Sequence, residues 1–343
     1  MRDLLKPALQ SLLRRRELAL LLIVLLLILA VGARAPVFLR PGSLVELLTD
    51  SSILMILAIG QMMVILARCI DLSVAANVAL TGMITALLSA HMPELPIALT
   101  IAVALGVGLV LGAINGFLVA AIGIPPIVIT LGTMSIYRGT VFFLTGGEWV
   151  NSHEMNPAFL QFPRATILGL PVLAWIAILI ALGAWYVFNY TRFGREVYAT
   201  GGNPRAAVYS GIRTDRIQFQ VFCISGMLAG LCGYLWVSRY AVAYVEIAMA
   251  FELQVIAACV IGGISIAGGI GSVAGAVLGA LFLGVVKNAL PIIDISPFWQ
   301  MGISGAVIVA AVVINSRGER KAGRLILREA SIAAARGSQG ARA

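Results

Sequence analysis

Polar side chains that interrupt long apolar runs are the residues in this sequence with the most chemistry to offer. Asp71 and Ser73 lie where the second run gives way to the third, Asn115, Thr130, Thr133, Tyr137 and Arg138 fall within the fourth and fifth, and Glu252, Gln254, Lys287 and Asn288 occupy the last third. At membrane depth such groups are costly, so each should either bond a neighbouring helix or line a polar pathway. Asp71 follows Arg68 closely, which leaves two readings open: a salt bridge or helix cap at the interface, or a structural part in a broken helix. Neither makes it catalytic. The chain has only two histidines, His91 and His153, and contains no His-Glu-x-x-His pair, no Gly-x-Ser-x-Gly elbow and no Cys/His cluster, so zinc proteolysis and serine hydrolysis lack their residues. A Gly-x-x-x-x-Gly-Lys-Ser/Thr loop is also missing. If ATP powers this protein, another subunit must bind it.

The elements that position these residues are membrane spans. Of the 343 residues 60% are hydrophobic and 11% charged, against roughly 45–50% and about 25% in soluble domains. Apolar runs long enough to cross about 30 Å of hydrocarbon recur near 18–34, 51–68, 72–90, 97–122, 124–145, 166–190, 217–239, 252–266, 270–290 and 298–315. The expected fold is therefore an all-α polytopic membrane protein of about ten transmembrane helices. Its parts are a basic interfacial helix over 1–17, a transmembrane domain over 18–315 and a basic tail over 316–343. A signal peptide ending near Ala33-Arg34-Ala35 is an alternative for the first span, disfavoured because more membrane segments follow.

The net charge of +9 is a topology signal rather than a nucleic-acid stripe. Arg2, Lys6 and Arg14 to Arg16 precede the first span, Arg192, Arg195, Arg205, Arg213 and Arg216 share the loop 191–216, and seven more basic residues lie between Arg317 and Arg342. The positive-inside rule then places both termini and that loop in the cytoplasm. Loops left outside, near 91–96, 146–165, 241–251 and 291–297, carry Glu94, Glu148, Glu154, Glu246 and Asp294.

Cys69, Cys223, Cys232 and Cys259 have no metal-ligand spacing and read as packing residues. Glycines spaced by four, at 108, 112 and 116 and again at 271, 275 and 279, read as close helix packing within the chain rather than a subunit interface. A faint likeness between Ser73-Val-Ala-Ala-Asn-Val78 and Ser272-Val-Ala-Gly-Ala-Val277 hints at an internal repeat. In the loop 191–216, Asn203-Pro204 is placed to start a short helix. Ala206, Ala207 and Ser210 would share one of its faces, giving a small-residue surface with an arginine rim suited to a groove in another protein.

Five stretches, in order along most of the chain, resemble the membrane permeases of bacterial ABC importers for sugars, the ribose, xylose, rhamnose and autoinducer group. They are Ile70-Asp-Leu-Ser-Val74, Ile114-Asn-Gly116, Pro126-Ile-Val-Ile-Thr-Leu-Gly-Thr-Met-Ser-Ile-Tyr-Arg-Gly139, Ala199-Thr-Gly-Gly-Asn-Pro-Arg-Ala-Ala-Val-Tyr-Ser-Gly-Ile212 and Ile261-Gly-Gly-Ile-Ser-Ile-Ala-Gly-Gly-Ile-Gly271. The resemblance implies a bacterial inner-membrane subunit, passive alone, that works with a second permease as homo- or heterodimer, an ATPase subunit holding ATP and Mg, and a periplasmic sugar-binding protein. It assigns Gly201, Gly202, Asn203, Ala206, Ala207, Ser210 and Gly211 to coupling with the ATPase. Asp71, Ser73, Asn115, Thr130, Thr133, Tyr137, Glu252 and Asn288 are expected at the pathway or at helix breaks. Glu148, Trp149 and Glu154 are expected to meet the binding protein, with a solvated loop and an interfacial Trp149 as the alternative. Stretches 148–155 and 240–248 look most like rhamnose permeases, with autoinducer permeases next. Cys69 and Ala75 replace two glycines usual around the aspartate, which counts against a tight turn beside Asp71. An ion-coupled transporter or an intramembrane enzyme would need a central carboxylate or a nucleophile constellation, and neither is visible.

Overall fold

The computed structural model describes residues 16–292 and a few isolated positions beyond them. Eight of the described helices are long and apolar enough to cross a membrane. They are α1 (Arg16–Arg34), α2 (Pro41–Leu66), α3 (Val74–His91), α4 (Ile97–Ala120), α5 (Pro126–Thr145), α7 (Val172–Tyr190), α10 (Thr214–Tyr240) and α12 (Val273–Ile292). Shorter helices are α6 (Pro157–Gln161), α8 (Arg192–Gly202), α9 (Pro204–Tyr209) and α11 (Phe251–Ile261). Among the described residues strand pairing is confined to two-residue ladders, β1 (Val150–Asn151) against β4 (Val242–Ala243) and β2 (Thr166–Ile167) against β3 (Leu170–Pro171), both antiparallel. The chain is an all-α polytopic membrane protein. The tenth expected span, the basic tail and nearly all of the N-terminal segment lie outside the described residues.

Three boundaries differ from the hydropathy reading, each for a local reason. Helix α2 starts at Pro41 rather than near 51, because Thr49, Ser51 and Ser52 return their hydroxyls to the carbonyls of Val45, Leu47 and Leu48 at 2.7 Å. Polar residues that bond their own helix do not end it. Residues 166–171 are a hairpin whose turn, Leu168 (φ 52°) and Gly169 (φ 80°), is left-handed at both positions. Helix α11 has only 11 residues, about 16 Å of rise and half the hydrocarbon thickness. The coil 262–272 carries the chain onward: Gly269 N–H donates to Leu66 O (3.0 Å), and the Tyr198 hydroxyl donates to Gly271 O (2.9 Å). Helix α11 alone is too short to cross, and the coil carries the chain on to the Leu66 end of α2.

Helix α2 is buried continuously from Ser51 to Leu66, as expected for a helix apolar on all sides, and α3 and α10 pack against it. Helices α4 and α10 cross backbone to backbone, since a Cβ on Gly108 or Gly112 would overlap the carbonyl oxygen of Gly226 or Phe222. Gly275 and Gly279 likewise pack on Gly262 and Ala258 of the α11 end. Both glycine stripes therefore serve packing within the chain.

The faint repeat corresponds to two similar turns. Helix α2 ends with Arg68 N–H on Ile65 O (2.9 Å) and Cys69 N–H on Val64 O (3.0 Å); α11 ends with Gly263 N–H on Val260 O and Ile264 N–H on Cys259 O, both 3.0 Å. Each is a Schellman closure around a left-handed residue, Arg68 (φ 63°) or Gly263 (φ 83°). Each turn leads to a helix that starts directly after a serine, Ser73 or Ser272. Cys69 and Ala75 thus leave a tight turn intact, with Arg68 adopting the conformation that glycine usually supplies.

Candidate functional site

Polar groups collect at one end of the bundle, called here the basic end because it also carries Arg192, Arg195, Arg205, Arg213 and Arg216. Asp71 is almost fully buried there. Its Oδ1 accepts from the Ser73 backbone N–H (2.8 Å) and hydroxyl (2.6 Å), and Asn115 Nδ2 of α4 donates to Ser73 Oγ (2.8 Å). The bonds form an Asx turn ahead of α3, and among the described residues Asp71 makes no salt bridge with Arg68, whose Nε donates to Ala267 O (3.0 Å). Thr130 Oγ1 of α5 donates to Pro126 O (2.9 Å) and reaches Ile70 O at 3.3 Å. Asp71, Ser73, Asn115 and Thr130 are thus brought together around one turn.

Other predicted polar residues lie elsewhere. Thr133 bonds Ile129 O within α5, and the Tyr137 hydroxyl crosses to Leu111 O of α4 (2.9 Å). Glu252 and Asn288 are at the opposite end. Asn288 donates to Gly284 O of its own helix and, with Asp50, Gln254 and Lys287 among the apolar side chains of Ile53, Leu54 and Phe251, lines a cavity of about 30 Å3, too small for a sugar as it stands.

Two residues of the polar set escape the sequence reading. Gln61 is fully buried in α2, and its amide, oriented by the network, meets Asp71 N–H and C=O at 3.2 Å each. Asn77 Nδ2 reaches Gly108 O (3.4 Å) and Gly226 O (3.3 Å), the carbonyls at the glycine crossing. A signal existed for Asn77: Ser73, Asn77, Thr81 and Thr85 recur every four residues along α3, and all four are buried.

Helices α8 and α9 project beyond the spans at the basic end. Thr191 caps α8 by accepting from Gly194 N–H, and Asn203 Oδ1 caps α9 by accepting from Ala206 N–H at 3.1 Å. Helix α9 closes with Gly211 (φ 79°) N–H on Val208 O and Ile212 N–H on Ala207 O, while Ser210 Oγ donates to Ala206 O (2.9 Å). Six residues are thereby held helical by caps at both ends. Gly201 is buried, and a Cβ there would overlap Leu66 O; Gly202 faces open space. Ala206, Ala207 and Ser210 fall within one helical arc but differ in burial. Ala207 is buried against the bundle, whereas Ala206 and Ser210 are exposed, along with Val208 at 56% and Tyr209 at 92%.

At the opposite end Trp149 is 60% exposed and packs its ring 5.3 Å from that of Tyr244. Glu154 Oε2 accepts from Asn151 N–H (2.6 Å), and this bond holds its carboxyl below the ordinary carboxylate value. Glu148, like Trp149, is exposed.

Eight span-length apolar helices among the described residues, with a doubly capped short helix at one end, define a polytopic membrane protein. Residues 43–312 match the family described as branched-chain amino acid transport system / permease component. The chain is 36% identical over 313 residues to the autoinducer 2 import system permease protein LsrC of Salmonella typhi, covering 90% of this chain and 88% of that one. It is 37% identical over 311 residues to LsrC of Escherichia coli strain K12 / DH10B (90% and 89%). The D-allose transport system permease protein AlsC of Escherichia coli K12 is 36% identical over 278 residues (81% and 84%). No solved structure matches. The chain belongs to this permease family of ABC sugar importers and is a multi-pass protein of the bacterial inner membrane.

Proposed function

We propose that this chain conducts a sugar or sugar-like solute from a periplasmic binding protein to the cytoplasm, with its basic end and both termini cytoplasmic. A second permease, identical or related, completes the pathway, and an ATPase subunit carrying ATP and Mg docks at the basic end. The observation that carries this reading is α9: a six-residue helix fixed at both ends by Asn203 and Gly211, anchored through Ala207, and offering Val208 and Tyr209 outward. Rigid seating and an exposed aromatic suit a part that converts movement of a partner into movement of the spans. The positive-inside distribution supports the orientation.

Rhamnose is favoured by stretches 148–155 and 240–248, whereas the relatives named above carry the names of autoinducer 2 and D-allose. The autoinducer reading takes precedence, with allose and the pentoses next. Uptake of labelled autoinducer 2, allose, ribose and rhamnose by cells with the chain deleted and restored tests this. Loss of one solute's ATP-dependent uptake on deletion is expected; uptake that follows the proton gradient with ATP maintained would overturn it.

A further inference from the structure

We propose that the cleft between the first turns of α8 and α10 binds the phosphate of an anionic phospholipid in the leaflet at the basic end. The cleft holds about 360 Å3, and Arg192, Phe193, Glu196, Arg213, Arg216 and Gln220 line it. Both helices begin beside it, α10 without a side-chain cap and α8 with Thr191 taking the Gly194 N–H, so two positive dipole ends lie close to it. Of its three guanidinium groups, that of Arg192 is engaged by Glu196 at 2.6 Å, and that of Arg213 lies 3.7 Å from Asp215, a loose contact. Among the described residues Arg216 forms no salt bridge. The cleft is net positive, and planar guanidinium forks match the oxygens of a phosphate.

Two neighbouring features favour a lipid over a soluble anion. Trp185, Tyr186 and Tyr190 form an exposed cluster at the end of α7, with Tyr190 5.4 and 5.6 Å from the other two rings. They immediately precede Arg192, and such aromatics mark the membrane–water interface. Phe219, beside Gln220 and about 100° round the same helix, lines an apolar groove of about 380 Å3 with Val110, Ile114 and Phe117 of α4. A basic cleft and an apolar groove lined by adjacent residues of α10 suit a headgroup and an acyl chain. Because α8 and α10 flank α9 in sequence, a lipid seated between them would brace the projecting segment.

Lipid retention by the purified permease with its ATPase subunit, read by native mass spectrometry, tests the site. Wild type should retain phosphatidylglycerol over phosphatidylcholine. The double variant Arg213→Gln/Arg216→Gln should weaken that preference roughly thirtyfold, at about 1 kcal/mol per arginine, while Arg34→Gln/Arg40→Gln at the opposite end should leave it unchanged. Equal retention of both lipids by wild type, or an undiminished preference in the double variant, would overturn the proposal. Should the double variant fail to accumulate, wild type alone decides: phosphatidylglycerol that persists against excess inorganic phosphate supports a lipid, and displacement by phosphate overturns it. Docking of the ATPase subunit that shields a label at Arg213→Cys while no lipid is retained would assign the arginines to a protein partner instead.

Discussion

The two ends of the bundle differ in their balance of contacts, although Arg68 at the basic end also donates to a loop carbonyl, Ala267 O (3.0 Å). At the basic end backbone meets backbone: Leu66 O accepts from Gly269 N–H, Gly201 sits against the same carbonyl, and a Cβ on Gly269 would overlap Gly202. At the opposite end arginine side chains clasp carbonyls of the 241–250 loop and of the last turn of α10. Arg138 Nη1 donates to Val245 O (3.2 Å) and Ile247 O (2.6 Å), and Arg164 donates to Ser238 O and Arg239 O, both 3.0 Å. The loop clasped by Arg138 holds Ala241, Ala248 and Ala250 in the left-handed region, where alanine is strained. Close-packed backbone transmits displacement with little give, whereas a side-chain clasp on a strained loop can be released. The first suits a face driven by a motor, the second a face that must open to a delivered solute.

The comparison breaks most visibly at Gly201. Gly201→Val drives branched carbons into the Leu66 carbonyl, and overpacking costs about 1–3 kcal/mol or more; the expected result is little protein in the membrane, measured by a fluorescent fusion. Next in size is Arg138→Gln. It leaves two loop carbonyls without their charged donor, about 1.5–3 kcal/mol for such a bond, and should raise protease cutting within 241–250 while membrane levels hold. Asn203→Ala removes the α9 cap, about 1 kcal/mol, and should lower uptake several-fold without a comparable fall in melting temperature in detergent. Glu154 is the gentlest test. Its carboxyl is held below the ordinary value by the Asn151 N–H, so its contribution to the loop is complete above the ordinary carboxylate value and is lost only as pH falls through the lowered one. Fluorescence of Trp149, isolated by replacing the other tryptophans, should stay flat down to about pH 4 and change below it; Glu154→Gln should abolish that change.

The membrane class and most spans were legible because apolar length and charge placement are one-dimensional signals. Boundaries failed where side chains acted on their own backbone, as with Thr49, Ser51 and Ser52 in α2. They failed again where helix gives way to coil, as after α11. The N-terminal cap of α9 could be read from Asn203-Pro204, since capping is local, whereas its closure at Gly211 is seen only in the structure. Which way Ala207 and Tyr209 face depends on how α9 rests on the bundle, and six residues carry too little periodicity to reveal it. Asp71 was legible as important. Its pairing with Ser73 instead of Arg68 was not, because Arg68 is drawn off by a carbonyl some 200 positions away in the chain, a partner set by tertiary packing.

The most direct test of the central claim is substrate-stimulated ATP hydrolysis and uptake by the reconstituted importer carrying Tyr209→Asp. The side chain is nearly fully exposed, so membrane level and melting temperature should match wild type while uptake and stimulation of hydrolysis by the loaded binding protein both vanish. Wild-type uptake at wild-type protein levels would contradict the account and remove α9 from the coupling path.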